Sequence, residues 1–132
     1  MRYVRVYADD SGQSHFADVE VPLIPVDYAP PAPPLHLSAA VPAHAFVFLA
    51  APPDWDGDWH PAPMRQMILY LAGEVEVETS DGELRRFGPG SATLVEDTTG
   101  AGHRSRAVGG TDVLLAVVQL PSLGGDAADG SS

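Results

Sequence analysis

The stretch between residues 73 and 103 constrains the fold most, because short strand patterns and tight corners follow one another there. Residues 74–78 alternate glutamate with valine, which is the period of a strand with one face in water and the other in a core. An Asp-Gly turn signal at Asp81 and Gly82 then closes a hairpin onto residues 84–87. The segment predicts antiparallel β-structure.

Similar strand patterns cover most of the remaining chain. Period-two alternation or short apolar runs predict further strands at residues 2–8, 15–21, 44–50, 64–71, 92–95, 103–108 and 111–120. Glycine or proline corners recur about every eight to twelve residues, and the sequence has no amphipathic helical stripe. This spacing predicts an all-β fold, either a β-sandwich or a closed barrel.

Composition restricts the classes of partner. The 132 residues include 18 acidic and 7 basic side chains, and the formal net charge of −11 repels nucleic acid and anionic lipid. The chain contains no cysteine, which is typical of a reducing cytoplasmic setting and removes disulfides and thiolate metal sites. It shows neither a signal-peptide pattern nor an apolar run of membrane-helix length. We therefore expect a cytoplasmic protein that binds a small molecule and has no nucleic-acid or membrane partner.

The chain divides into three parts by composition. Residues 1–43 hold the N-terminal strands and an arm, residues 22–42, whose seven prolines predict an extended conformation. Apolar residues should anchor this arm to the domain, namely Leu23, Ile24, Val26, Tyr28, Leu35 and Leu37. Residues 44–121 should form the barrel. Residues 122–132 offer little to bury, so we expect a disordered tail.

Three sequence segments resemble the motifs of the cupin superfamily: residues 66–77, residues 87–90 and residues 100–103. The match covers residues 59–108. The resemblance implies a double-stranded β-helix, or jelly-roll barrel, with a pocket at its wider end and an extended N-terminal arm. It also implies a homodimer, since such domains often pair through their N-terminal strands.

The resemblance also implies a partial metal motif. Metal-binding cupins supply two histidines and a glutamate from the first motif and a third histidine from the second. In this sequence His60 matches the first histidine, Ala62 replaces the second, Gln66 replaces the glutamate, and His103 matches the last. His60, Gln66 and His103 could hold one divalent iron, manganese, zinc or nickel ion, more weakly than a set with a carboxylate.

Strand parity extends the candidate site. His60, Gln66 and Tyr70 have the same parity as Ala62, Met64 and Ile68, so a strand regular from its start would direct all of them to one face. We assign catalytic roles to His60, His103, Gln66 and Tyr70. Substrate binding is assigned to Phe46, Trp59, Met64 and Ile68.

Several other residues have two interpretations. Trp55 and Trp59 could stack on a ligand at the entrance or simply pack their loop. Glu96 and Asp97 are expected to be solvated loop acids, with an inward fold of their loop as the alternative. His44 could line the pocket or cap a strand. We expect His15 and His36 to be structural or exposed, and Arg104 and Arg106 to face away from His103.

Three functions remain open at this point. The first is a metal-dependent oxygenase, isomerase or cyclase that acts on a small metabolite. The second is a metal-free enzyme in which His60 or His103 serves as general acid or base. The third is a non-catalytic cupin that binds a small ligand, because this fold hosts many unrelated functions. We expect an enzyme acting on an apolar or aromatic metabolite.

Overall fold

The computed structural model describes residues 1–123 and contains only β-strands as regular secondary structure within that range. The eleven strands are β1 (Arg2–Ala8), β2 (Ser14–Glu20), β3 (Ile24–Val26), β4 (Leu35–Leu37), β5 (Ala45–Ala51), β6 (Gln66–Ala72), β7 (Glu74–Thr79), β8 (Leu84–Phe87), β9 (Ala92–Val95), β10 (His103–Val108) and β11 (Val113–Gln119). No helix among the described residues is long and apolar enough to cross a membrane.

Two main sheets enclose the core. Six strands form one sheet in the order β2-β1-β9-β6-β11-β5, and three strands form the other in the order β10-β7-β8. Both sheets contribute buried side chains to a single apolar cluster, made of Val6, Phe16, Tyr70, Val75, Val77, Phe87, Val113, Leu115 and Val117. The expected all-β fold is confirmed.

Strands β7 and β8 form the predicted hairpin, and the side chains of β7 alternate between core and solvent as the sequence predicts. Val75 and Val77 are buried, whereas the glutamates of the same strand face solvent. Glu76 accepts hydrogen bonds from Arg106 and Arg86, and the hydrogen bond from Arg106 is the main cause of its lowered pKa. The turn between the strands is a tight one, with Gly82 at a φ of 92°.

The N-terminal strands belong to the six-stranded sheet. β1 pairs in parallel with β9 through Val4↔Thr93 and Val6↔Val95, and β2 pairs with β1 at the edge of the sheet. The sheet therefore joins residues of the predicted 1–43 and 44–121 parts. Of the predicted tail, residues 124–132 lie outside the described residues.

The proline-rich arm differs from its prediction. It contains a small hairpin, in which β3 and β4 pair with each other and with no other strand of the described residues. The prediction that its apolar side chains anchor the arm is wrong for this chain, because Leu23, Ile24, Val26, Tyr28 and Leu35 are exposed and Leu37 is only partly covered.

Candidate functional site

A cavity of about 540 Å³ opens between the two sheets. Its volume falls in the range of ordinary small-molecule sites. Apolar side chains form most of its wall, and β5 and β11 contribute the largest share, among them Val47, Leu49, Val113, Leu115 and Val117. Its polar lining includes His60, Gln66, His103, Ser105 and Gln119.

Two backbone hydrogen bonds place His60 beside His103. The His60 N–H donates to the His103 carbonyl at 3.1 Å, and the His103 N–H donates to the His60 carbonyl at 3.0 Å. Directly opposite residues of an antiparallel pair project to the same side, so both rings lie together, with their centroids 5.0 Å apart. His60 is exposed at the mouth of the cavity, whereas the His103 side chain is largely buried.

The pairing does not arise from the parity of a long β6 strand. β6 begins at Gln66, and residues 61–65 are irregular, so the condition of a strand regular from His60 is not met. Instead, the loop before β6 runs along the free edge of β10 and bridges it at Asp56↔Arg106 as well as at the two histidines. The contact between the loop and β10 therefore builds the histidine pair.

Gly102 makes this close approach possible. A Cβ atom at this position would lie 2.1 Å from the His60 carbonyl oxygen, which is far inside contact distance. The residue also has a φ of +73°, a conformation that glycine adopts without the steric cost that other residues incur. The glycine before His103 is thus required for the backbone of His60 to pass beside it.

Asp97 lies behind His103 and fixes its ring. The His103 Nδ1 atom is 2.6 Å from Asp97 Oδ2, and Asp97 is fully buried. A carboxylate at this distance accepts the hydrogen bond, which places the ring proton on Nδ1 and leaves Nε2 with a free lone pair. The second oxygen, Oδ1, has no hydrogen-bond partner in residues 1–123.

His60 is held in the same tautomer by a backbone group. Its Nδ1 atom is 2.8 Å from the Asp58 carbonyl oxygen, which can only accept, so Nδ1 carries the proton. The two neighbouring imidazoles therefore both keep Nε2 as a free acceptor. Such a pair can take up a proton or coordinate a cation.

The expectation of solvated loop acids at 96 and 97 is wrong. The loop after β9 folds inward because its backbone is tied to neighbouring segments: the Glu96 N–H donates to the Val6 carbonyl at 2.7 Å, and the Ala62 N–H donates to the Asp97 carbonyl at 2.9 Å. The sequence favours solvated acids here and offers the inward fold of the loop only as the alternative. The only sequence signal of Asp97 is an acidic residue six positions before His103.

Glu96 clamps the base of the same loop. Its carboxylate accepts a hydrogen bond from Arg5 at 2.5 Å and another from Arg65. Burial raises the pKa of Glu96, but the hydrogen bonds from Arg65 and Arg5 outweigh burial and leave the pKa below its usual value. The ionised carboxylate thus joins β1, the segment before β6 and the loop that carries Asp97.

Gln66 and Ile68 line the cavity, but Tyr70 does not. Tyr70 borders a smaller inner cavity of about 60 Å³, which Ile68 and His103 also line. Its hydroxyl is 3.1 Å from Thr93 Oγ1. Burial raises the pKa of Tyr70 to about 12, although the hydrogen bond with Thr93 acts in the opposite direction. The phenol is therefore neutral and engaged in the core.

The other predicted substrate contacts lie away from the cavity lining. Phe46 projects to the opposite side of β5 from Val47, which does line the cavity. Met64 lies in the irregular segment before β6 and is exposed. Trp55 lines the cavity, whereas its neighbour Trp59 does not.

Three further histidines lie outside the cavity lining. His15 bridges Asp9 and Asp81 through both ring nitrogens, and His36 and His44 are exposed. Arg104 and Arg106 face away from His103, as expected, and pair with the glutamates of β7.

The side chains in the cavity that could bind a metal ion carry little negative charge. No group of three His, Cys, Asp or Glu side chains in the described part of the chain is arranged to hold one. Asp97 already contacts the Nδ1 side of His103, and Glu96 is held by two arginines. His60, His103 and Gln66 remain as three neutral donors, which fit a weakly bound dication.

Positive charge is kept out of the cavity. All seven arginines lie within 4.0 Å of a carboxylate, and none of them lines the cavity. The chain has no lysine. A ligand that carries a carboxylate or phosphate would find no arginine or lysine partner among the described lining residues.

Known proteins resemble the chain in fold. No protein-family model matches it, and a search of curated proteins finds no match. Among solved structures, the cupin domain of Cnp3 from Schizosaccharomyces pombe is 14% identical, with 86% of this chain and 77% of that chain covered and a TM-score of 0.49. The Cupin_2 domain of an XRE family transcriptional regulator from Enterobacter cloacae is 16% identical, with 92% and 98% covered and a TM-score of 0.35.

A third solved structure, protein NMB1881 from Neisseria meningitidis, is 20% identical, with 58% of this chain and 72% of that chain covered and a TM-score of 0.46. The solved structures that match the chain include cupin domains. The fold and the site define an all-β domain of two facing sheets with a histidine-lined cavity between them.

Proposed function

We propose that this chain is an enzyme that rearranges an uncharged small molecule by proton transfer, as an isomerase or cyclase does, with His103 as the general base. The observation that carries the proposal is the buried contact between Asp97 and His103 at the wall of a cavity of about 540 Å³. A buried carboxylate that orients a histidine and stabilises its protonated form is a recurring arrangement in acid-base catalysis.

The proposed reaction needs no co-reactant. His103 Nε2 takes a proton from one substrate atom, and Asp97 stabilises the imidazolium that forms. The same imidazolium returns the proton to a second atom of the substrate, so the product is an isomer of the substrate. Gln66 can donate a hydrogen bond from its amide to a substrate oxygen, and His60 Nε2 can accept one from a substrate hydroxyl.

The proposed substrate is apolar and uncharged. A molecule with an aromatic ring is one kind of substrate that fits the cavity. Apolar side chains form most of the wall, and Trp55 offers a ring face at the lining. The arginines lie elsewhere in ion pairs, so an anionic substrate would lose its hydration without gaining a counter-charge. The working form is proposed to be a homodimer.

A metal-assisted reaction, including an oxygenase, is the second candidate. The specific observation in its favour is that both histidines donate Nδ1–H to an oxygen acceptor, as metal-binding histidines commonly do. His60, His103 and Gln66 would hold the ion, and a bound ion would act as a Lewis acid on a substrate oxygen. Elemental analysis of protein purified without added metal separates the candidates, since less than roughly a tenth of an equivalent would exclude a resident ion.

A proton-exchange experiment tests the first candidate. A library of uncharged aromatic ketones and their carboxylate analogues is screened by thermal shift, and deuterium incorporation from D₂O into the best binder is followed by NMR. We expect ketones to be preferred, and His103→Gln to slow incorporation by roughly 10²-fold or more. His44→Gln, which changes an exposed histidine outside the cavity, is the matched control.

Two results would count against this proposal. Incorporation that is equally fast in the wild type and in His103→Gln would remove the general base. Tight binding with no incorporation above the buffer rate, in the wild type at any pH between about 6 and 9, would favour a non-catalytic ligand-binding protein.

A further inference from the structure

Three neighbouring strands are apolar on both faces. β6, β11 and β5 read QMILYLA, VLLAVVQ and AFVFLAA, and none of them contains a charged residue or alternates polar with apolar side chains. Strands of this kind are normally covered on both faces, whereas β7 alternates glutamate with valine and has one wet face. From the composition of the three strands, we therefore expect both sides of the sheet to be covered.

One side of these strands forms the wall of the cavity. Cross-strand pairs such as Val47↔Val117 and Leu49↔Leu115 line it. The intervening residues project to the other side of the sheet, where Phe48 lies opposite Ala116, which in turn lies opposite Leu69. The register makes this second side one continuous apolar surface, which we call the outer face.

Residues 1–123 leave the outer face uncovered. Its large side chains retain much of their exposure: Phe46 60%, Phe48 68%, Leu69 39%, Leu71 46% and Leu114 38%. Two such faces in contact would bury roughly 1,000 Å², which is the lower bound for a specific interface. Phe46 and Phe48 already contact each other edge to face, with ring centroids 5.3 Å apart.

The edge of the sheet beside this face is also unprotected. Among the strands of residues 1–123, β5 is the last of the six-stranded sheet and pairs with β11 alone. Natural edge strands usually carry a charge, a proline or a bulge that prevents association, and residues 45–51 contain no charged residue or proline. The strand has the composition of an interface.

The distribution of charged residues along the chain also favours an interface at the outer face. Residues 21–51 contain a single acidic residue, Asp27, and no basic one, although the chain carries 18 acidic and 7 basic side chains. The cores of protein interfaces are depleted of charge in the same way. Two copies that each carry a net charge of −11 repel one another except where such an uncharged surface allows approach.

The hairpin of β3 and β4 adds apolar surface to the same uncharged segment. Ile24, Val26 and Leu35 are exposed on it. Leu37 at the end of β4 precedes Ala45 at the start of β5 by eight residues, a reach of at most about 28 Å. The hairpin is therefore close enough to flank an interface built on the outer face.

We propose that a second copy of this chain covers the outer face, with the β5, β11 and β6 strands of the two copies packed face to face about a two-fold axis. The inference specifies the surface of the proposed homodimer and is independent of the proposed chemistry. An isologous contact uses the same self-complementary patch twice, so one uncharged face per chain is sufficient. Because β5 also walls the cavity, the contact would support that wall.

Sedimentation velocity over a dilution series tests the surface. We expect a dimer for the wild type and at least a 100-fold weaker dimer for Phe48→Glu, because the carboxylate would be buried without a partner. Phe48→Ser is a milder variant that should weaken the dimer in the same direction. Leu84→Glu is the matched control, since Leu84 is 54% exposed on β8 of the other sheet.

Each outcome decides a separate question. A wild type that is monomeric throughout the series would overturn the homodimer and the surface together. A dimer unchanged by both Phe48 variants, with circular dichroism spectra that match the wild type, would overturn the surface alone. If Phe48→Glu loses the circular dichroism spectrum of a β-protein, Phe48→Ser becomes the test. The dimer of Phe48→Ser must then weaken, while the dimer of Leu84→Glu does not.

Discussion

One carboxylate oxygen of Asp97 accepts a hydrogen bond from Nδ1 of His103 at 2.6 Å, and the other has no partner among the described residues. A fully buried charge with a single hydrogen bond is costly in isolation. Its position behind a ring that lines the cavity indicates that it serves His103. As part of the proposed function, the two residues act as one acid-base unit, and a substitution at Asp97 tests its share.

Asp97→Asn should impair proton transfer by roughly 10²- to 10⁴-fold while the fold is retained. The asparagine amide can donate to Nδ1, which would move the ring proton to Nε2 and remove the free lone pair of His103. Nitrogen-detected NMR of the histidine side chains should show the change of tautomer. The control is Asp54→Asn in an exposed loop, and an unchanged His103 tautomer in the Asp97 variant would contradict the prediction.

Gly102→Ala should destabilise the protein by about 3 kcal/mol or more and displace His60. Its Cβ would lie 2.1 Å from a backbone oxygen that cannot move without breaking the His60 and His103 hydrogen bonds. Gly82→Ala is the matched control, because Gly82 also has a positive φ but no atom within 4 Å of its would-be Cβ. That variant should cost only the conformational strain of about 1–2 kcal/mol. Equal losses in urea unfolding would show that steric contact at Gly102 is irrelevant.

Much of the fold could be predicted from the sequence because its signals are local. The strands at 92–95 and 103–108 and the Asp81-Gly82 turn follow from alternation and corner residues a few positions apart. Their sequence signals do not depend on distant parts of the chain.

The candidate site depends on contacts between residues that are far apart in the chain, and sequence patterns do not reveal such contacts. The pairing of His60 with His103 requires a loop to run beside β10, and the burial of Asp97 requires backbone partners at residues 6 and 62. A loop acid is usually solvated, so composition favoured the wrong interpretation. The exposed apolar arm was misread for a related reason: an apolar side chain indicates that something should cover it, but not which surface does.

Glu96→Gln should lower the free energy of unfolding by about 1–3 kcal/mol at neutral pH. The substitution leaves Arg5 and Arg65 around a neutral amide in a largely buried position. The lowered pKa of Glu96 means that its contribution is present above the unfolded value near pH 4.3 and is lost as the pH falls through the folded value. Urea titrations at pH 7 and pH 3 should show the wild-type advantage shrinking at the lower pH. Glu20→Gln, which breaks an exposed pair with Arg2, should change little at either pH.

His15→Asn should destabilise the protein most between about pH 4 and pH 6.5. The imidazole lies 2.7 Å from Asp9 and 3.0 Å from Asp81, and its hydrogen bond with Asp9 is the main cause of its raised pKa. When folding raises the pKa of a histidine, its contribution to stability is complete at pH values below the pKa of the unfolded state. The contribution is lost as the pH rises through the pKa of the folded state. The pKa values of both aspartates are lowered, that of Asp9 chiefly by His15 and that of Asp81 chiefly by Thr79, so their contribution fades as the pH falls below about 4. Thermal unfolding at pH 5.5 and pH 9 measures the difference, with His36→Asn as the exposed control. Because the three groups join the β1–β2 turn to the β7–β8 turn, a wild-type advantage equal at both pH values would mean that His15 holds these turns together without its charge.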